Sequence, residues 1–168
     1  ALYCDSKDSK RRKSSIIVLN IILESLIKWF APILSFTTEE IFILINKDKK
    51  SIHLEEFMEF PASFENVLLN KKWIKLKKIR DICNISIEEK RASKEIGSSL
   101  EANLIIKLNQ DLLEISNNID FAELCITSSV VVEQSDMEEV MVKTNKAVGE
   151  KCPVCWKINK EKCERHSS

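Results

Sequence analysis

The chain has 168 residues, 44% of them hydrophobic, with 26 Lys and Arg against 26 Asp and Glu and only two Gly. That length holds one ordinary domain or two small ones, and the apolar content with so few Gly and Pro excludes a largely disordered chain. A net charge of zero excludes a uniformly basic protein.

From Lys10 to Phe30 the polar residues Lys13, Asn20, Glu24 and Lys28 mark one wet stripe, while Ile16, Leu19, Leu23, Leu26 and Phe30 lie opposite at helical spacing. The pattern predicts a long, deeply buried helix. Its interruptions keep it short of the roughly 20 consecutive apolar residues of a membrane span. The polar residues ahead of it lack the apolar stretch of a secretory signal, so the expected location is cytoplasmic, with no membrane partner. Because the first residue is Ala1 and not Met, the chain is read as a piece of a longer one.

Pro32 bends or ends the first helix, and Thr37-Thr38-Glu39-Glu40 predicts that a capping box opens a second, with Thr37 pairing to Glu40. The second helix carries Ile41, Phe42, Leu44 and Ile45 and stops near Asn46. Ile52 to Phe57 reads as a short extended piece. A third helix is expected from Lys71 to Ala92, with Trp73, Leu76, Ile79, Ile82 and Cys83 recurring at three and four; its outer face is basic at Lys71, Lys72, Lys75 and Lys78.

Past Gly97-Ser98-Ser99 the texture changes to short β-branched runs at residues 104–108, 123–127, 130–132 and 140–142, with a short helix over Asp111 to Asn117. The expected fold class is α+β: a helical bundle over 1–96, a small α+β domain over 97–144, and a tail over 145–168 ending in a zinc knuckle. Charge follows the same order. Residues 101–142 hold one basic against nine acidic residues, whereas 1–50 hold nine against six and 143–168 seven against three. A polyanion is thus expected to meet the two ends.

Three of six cysteines crowd into the tail as Cys152-Pro153-Val154-Cys155, then, after seven residues, Cys163-Glu164-Arg165-His166. Two pairs, each with two residues between its members, aim four soft or borderline donors at one point, the arrangement a tetrahedral zinc ion requires. Cys152, Cys155, Cys163 and His166 would close the coordination sphere with no place for a water, so one Zn2+ there is structural. A redox pair at Cys152 and Cys155 is the alternative, but the βαβ pattern expected beside such a pair is not read in this sequence. Free thiols are the remaining one. Cys83 and Cys125 sit in apolar surroundings and read as packed thiols.

Trp156 directly follows the second ligand, and a small knuckle cannot bury it completely. Ringed by Lys151, Lys157, Lys160, Lys162 and Arg165, an exposed indole suits unpaired bases, whereas a packed one anchors the tail; both roles stay open. Arg11 and Arg12, within Lys10-Arg11-Arg12-Lys13, offer phosphate contacts in second place. No Gly-rich phosphate loop, HExxH or G-x-S-x-G is present, so no catalytic residue is assigned.

Several strings carry a resemblance. Leu2-Tyr3-Cys4-Asp5 with Arg11-Arg12, then Trp29-Phe30-Ala31-Pro32-Ile33-Leu34-Ser35-Phe36-Thr37-Thr38-Glu39-Glu40-Ile41, Ser51-Ile52-His53-Leu54, Ile96-Gly97-Ser98-Ser99-Leu100-Glu101-Ala102 and Gly149-Glu150-Lys151-Cys152-x-x-Cys155-Trp156 resemble, in order, the C-terminal part of bacterial isoleucyl-tRNA synthetases. The resemblance covers essentially the whole chain. It implies a parent class I ligase that uses ATP to join isoleucine to its tRNA, with the catalytic and editing domains upstream and ATP not bound here. It further implies that 1 to about 95 form most of a helical anticodon-binding domain, that the zinc tail grips the anticodon loop, and that the whole is a monomer. The residues expected to meet tRNA are Trp156, Lys151, Lys157 and Arg165, then Arg11 and Arg12. His166 departs from the family pattern, in which the last ligand is often Cys. The rival reading is a free-standing zinc module for other nucleic acid or a protein.

Overall fold

In the computed structural model, which describes residues 2–47, 50–161, 163 and 166, Ser9 starts helix α1 (Lys10–Phe30) by accepting the Arg12 N–H on its hydroxyl at 3.3 Å. Two residues past its end stands Pro32, which has no N–H to continue the ladder. The chain forms two compact units, Ala1–Glu65 and Asn66–Ser168.

The first unit closes on Ile27, Ala31, Phe42 and Ile52, with Ile41 packed alongside. Helix α2 (Ser35–Ile45) begins two residues before Thr37, and no side chain caps it, so the expected capping box does not form. Its acidic partner is used differently: Glu39 accepts the Ser51 hydroxyl at 3.0 Å and the Ile52 N–H at 2.9 Å. Those bonds wind Ile52–Leu54 into a 3-10 turn where an extended piece was expected.

Helix α1 is also less buried than its apolar content implies, with only Ser25 and Ile27 out of solvent. A unit of two helices and short turns covers little of it: Leu19, Leu23, Leu26 and Phe30, expected on the buried face, are exposed, as are Ile17, Val18, Ile22 and Trp29. Nor is the polar stripe uniformly wet. The Lys28 side chain is 10% exposed, 3.3 Å from Glu24 and 3.7 Å from Glu55.

In the second unit, Asn66 caps helix α3 (Val67–Ala92) by accepting the Leu69 N–H at 2.9 Å. Leu76, Ile79, Cys83 and Ile87, spaced three, four and four, form the helix's buried stripe. They pack with Ala102, Leu104, Ile106 and Leu108 of strand β1 (Ala102–Leu108), all four fully buried on alternate positions. The break near residue 97 is therefore a change of secondary structure; packing divides the chain at 65/66, because α3 spends its apolar face on the sheet.

β1 is the middle strand. It pairs in parallel with β2 (Ser129–Gln134), Leu104 opposite Val130, and antiparallel with β3 (Met141–Lys146), Leu104 opposite Thr144. A hydrogen bond of 2.7 Å between the Ser86 and Thr144 hydroxyls ties α3 to β3. Between β1 and β2 run helix α4 (Gln110–Ser116) and the single turn α5 (Phe121–Leu124). A βαβ unit is thus present that the sequence did not announce, because residues 123–127 were expected as a strand. Asp120 caps α5 through the Glu123 N–H at 3.1 Å, and Phe121 and Cys125, four apart, reach the core together. No helix among the described residues is long and apolar enough to cross a membrane.

Candidate metal centre and nucleic-acid face

Gly149 opens the tail. Its φ is +140°, and a Cβ there would lie 2.1 Å from the Asn159 carbonyl oxygen, so only glycine admits the approach of the two arms. The arms are β4 (Glu150–Lys151) and β5 (Ile158–Asn159), with Lys151 opposite Ile158. Between them the Cys152 N–H donates to the Lys157 carbonyl and the Trp156 N–H to the Cys152 carbonyl, both at 2.9 Å. Trp156 completes the turn with φ +64°.

This short hairpin brings the sulfurs of Cys152 and Cys155 beside the sulfur of Cys163 and the ring nitrogen of His166. The donor atoms of Cys152, Cys155, Cys163 and His166 all lie within 4.8 Å of one another. Cys155 Sγ is 3.7 Å from Cys163 Sγ, and His166 Nδ1 is 3.6 Å from Cys152 Sγ and 3.4 Å from Cys163 Sγ. With metal bonds of about 2.3 Å to sulfur and 2.0–2.1 Å to nitrogen, the edges of a tetrahedron come to about 3.8 Å and 3.6 Å. Donor set and spacing therefore fit a tetrahedral cation, with His166 Nδ1 standing where a fourth donor would be needed.

The protein has prepared one donor more than the others. Backbone N–H groups of Cys155 and Val154 point at Cys152 and lower its thiol to about 6, so that it stands as thiolate at neutral pH. Cys155 is pushed up to about 11, first by burial. A redox pair needs only Cys152 and Cys155, whereas four donors converge here. No disulfide joins any of the six cysteines.

Long-range contacts seat the hairpin on the sheet. The Ser128 hydroxyl donates to the Leu100 carbonyl and accepts the Ile158 N–H at 2.6 Å. Lys157 Nζ lies 3.2 Å from the Glu123 carboxylate, its side chain 19% exposed. Sequence reasoning missed Ser128 and Glu123 as supports of the site, since nothing local marks them; Gly149, one of two glycines, was the available signal.

Of the residues expected to meet nucleic acid, Trp156 is 60% exposed, which leaves the indole open to a ligand and does not suit an anchor. Lys151 Nζ stands 5.7 Å from its ring centroid, within cation–π reach. Lys157 is engaged with Glu123. Arg165, like Lys162, lies outside the described residues. Arg11 and Arg12 hold the chain's own N-terminal segment: Arg11 donates to both Asp5 carboxylate oxygens at 2.7 Å, and Arg12 Nε to the Leu2 carbonyl at 3.1 Å.

The family model described as the anticodon-binding domain of tRNA ligase matches residues 1–106. The isoleucine–tRNA ligase of Pelagibacter ubique is 76% identical over 167 residues, 99% of this chain and 18% of that protein. Those of Bartonella quintana and Agrobacterium fabrum are 39% and 38% identical, over 96% and 94% of this chain. The chain thus spans less than a fifth of the length of the curated relatives it matches.

Proposed function

The chain belongs to the family of anticodon-binding domains of tRNA ligases, and from that premise we propose that it is the C-terminal anticodon-recognition region of an isoleucine–tRNA ligase acting in the cytoplasm. The observation that carries the reading is an open indole beside a lysine, rigidly mounted on a Cys3His cluster, in a chain similar end to end to such ligases.

In this reading residues 1–96 supply anticodon-binding helices, 97–144 carry the tail, and 145–168 form the hook. Cys152, Cys155, Cys163 and His166 would hold one structural Zn2+. The ion supplies no bond-making chemistry there; it clamps two short turns together. Trp156 offers its face to an unpaired base of the anticodon loop, and Lys151 meets the adjoining phosphate. Lys157 seats the hook through Glu123, and Arg11 and Arg12 act in second place. Activation of isoleucine with ATP belongs to a catalytic domain elsewhere in the same polypeptide, which works as a monomer.

The test uses the full-length ligase that carries this chain. Trp156→Ala should weaken binding of the isoleucine tRNA by about 1–3 kcal/mol. Charging falls, while isoleucine-dependent ATP–pyrophosphate exchange stays near normal. Equal loss in both assays would falsify the assignment. Metal analysis of the same protein should find one zinc per chain, lost on Cys152→Ser.

A further inference from the structure

The first half of α3 carries a feature that the hook does not use. Lys71, Lys72, Lys75, Lys77 and Lys78 stand within eight residues, and all but the half-buried Lys72 are exposed. Among the described residues none of them has an acidic partner, although Lys28, Lys90, Lys107 and Lys157 all do. At 100° per residue Lys71, Lys75 and Lys78 fall within about 60° around the helix and span about 10 Å along it, a straight row of point charges. Beyond it the charges balance, Asp81, Glu88 and Glu89 against Arg80, Lys90 and Arg91, and Lys90 and Arg91 are themselves paired with Glu95 and Glu88. The row of lysines without acidic partners therefore lies on the first half.

We propose that Lys71, Lys75 and Lys78 form a phosphate-tracking rail that binds the sugar–phosphate backbone of the tRNA stem, separate from the base-reading hook. The rail rests on the reading of the chain as a tRNA-binding region. Its composition decides what it contacts. Three flexible ammonium groups in a straight row suit successive phosphates, and contacts to phosphate position the ligand without reading its sequence. Leu76, Ile79 and Cys83, about 100° around α3 from the row, pack the helix against the sheet and leave the lysines facing away from that contact.

The experiment measures tRNA binding to the full-length ligase across a salt series, with an isoleucine tRNA and an anticodon-altered one. Each phosphate contact contributes roughly one to the slope of log K against log salt. Replacing all three residues (Lys71→Gln, Lys75→Gln and Lys78→Gln) should reduce that slope by roughly 2 to 3. It should weaken both tRNAs by the same factor, with each single change giving about a third. Glutamine is a good helix former, and an unchanged thermal midpoint confirms that the fold is kept. If the unaltered ligase binds neither tRNA, this inference and the proposed function fall together. If it binds but the triple variant keeps the full slope, only the rail is overturned, and the lysines belong to an acidic protein partner or to solvent. A loss confined to one tRNA also overturns it, since that is base reading.

Discussion

Single residues at two places carry consequences out of proportion to their size. Gly149 holds a backbone conformation that L side chains rarely adopt, and a methyl group there meets the Asn159 backbone. Gly149→Ala should cost the hairpin about 1–3 kcal/mol from strain alone. The readout is metal lost to a chelator at a concentration that leaves the unaltered protein loaded; equal retention would mean that the arms part without penalty. Cys83 is the second. A hydrogen bond with the Cys125 thiol, and then burial, push it well above its ordinary 9.0. The folded state therefore keeps a proton that the unfolded chain loses. Stability from Cys83 therefore declines as pH rises above 9, while Cys125, lowered through the same hydrogen bond, acts in the opposite sense and reduces the net slope. Denaturant titrations at pH 8 and pH 10 check the sign: the fall should be smaller in Cys83→Ala. An identical fall in both proteins removes the thiol as its cause.

Among the elements, α3 does two jobs on two faces. Leu76→Ala on the buried face should cost about 2–5 kcal/mol in urea denaturation. Ile85→Ala, at a position 62% exposed, should stay within about 0.5 kcal/mol. Similar losses at both positions would contradict the packing of α3 on β1. Elements with strong local signals were legible along the chain. The span of α1 follows from helical spacing and Pro32, and β1 from a short β-branched run. Elements shaped from afar were not. Thr37 and Glu40 form a good capping pattern, yet α2 starts earlier and Glu39 is turned to Ser51 and Ile52. Residues 123–127 are rich in strand formers, but Asp120 caps a helical turn there because Phe121 and Cys125 are wanted in the core. Misreading that one turn hid the parallel crossover between β1 and β2.

At the scale of the molecule, the hook is attached to a core to which it contributes no residue. Among the described residues the buried cluster runs from Leu76 to Cys125, and Ser128 and Glu123 hold the hairpin of the tail through Ile158 and Lys157. Chelation should therefore expose Lys151, Lys157 and Lys160 to trypsin while the main thermal transition moves little. Collapse of both together would make the metal centre part of the core.

What could be read from the residues in order was chemistry and local form: four donors at ligand spacing, an aromatic beside a cation, the long helices and the central strand. Each depends on neighbours a few positions apart. Folding in three dimensions settled which faces are covered, the partner of Lys157, the place of α3 on the sheet, and the openness of Trp156. Those depend on contacts between residues tens of positions apart, which no local pattern encodes.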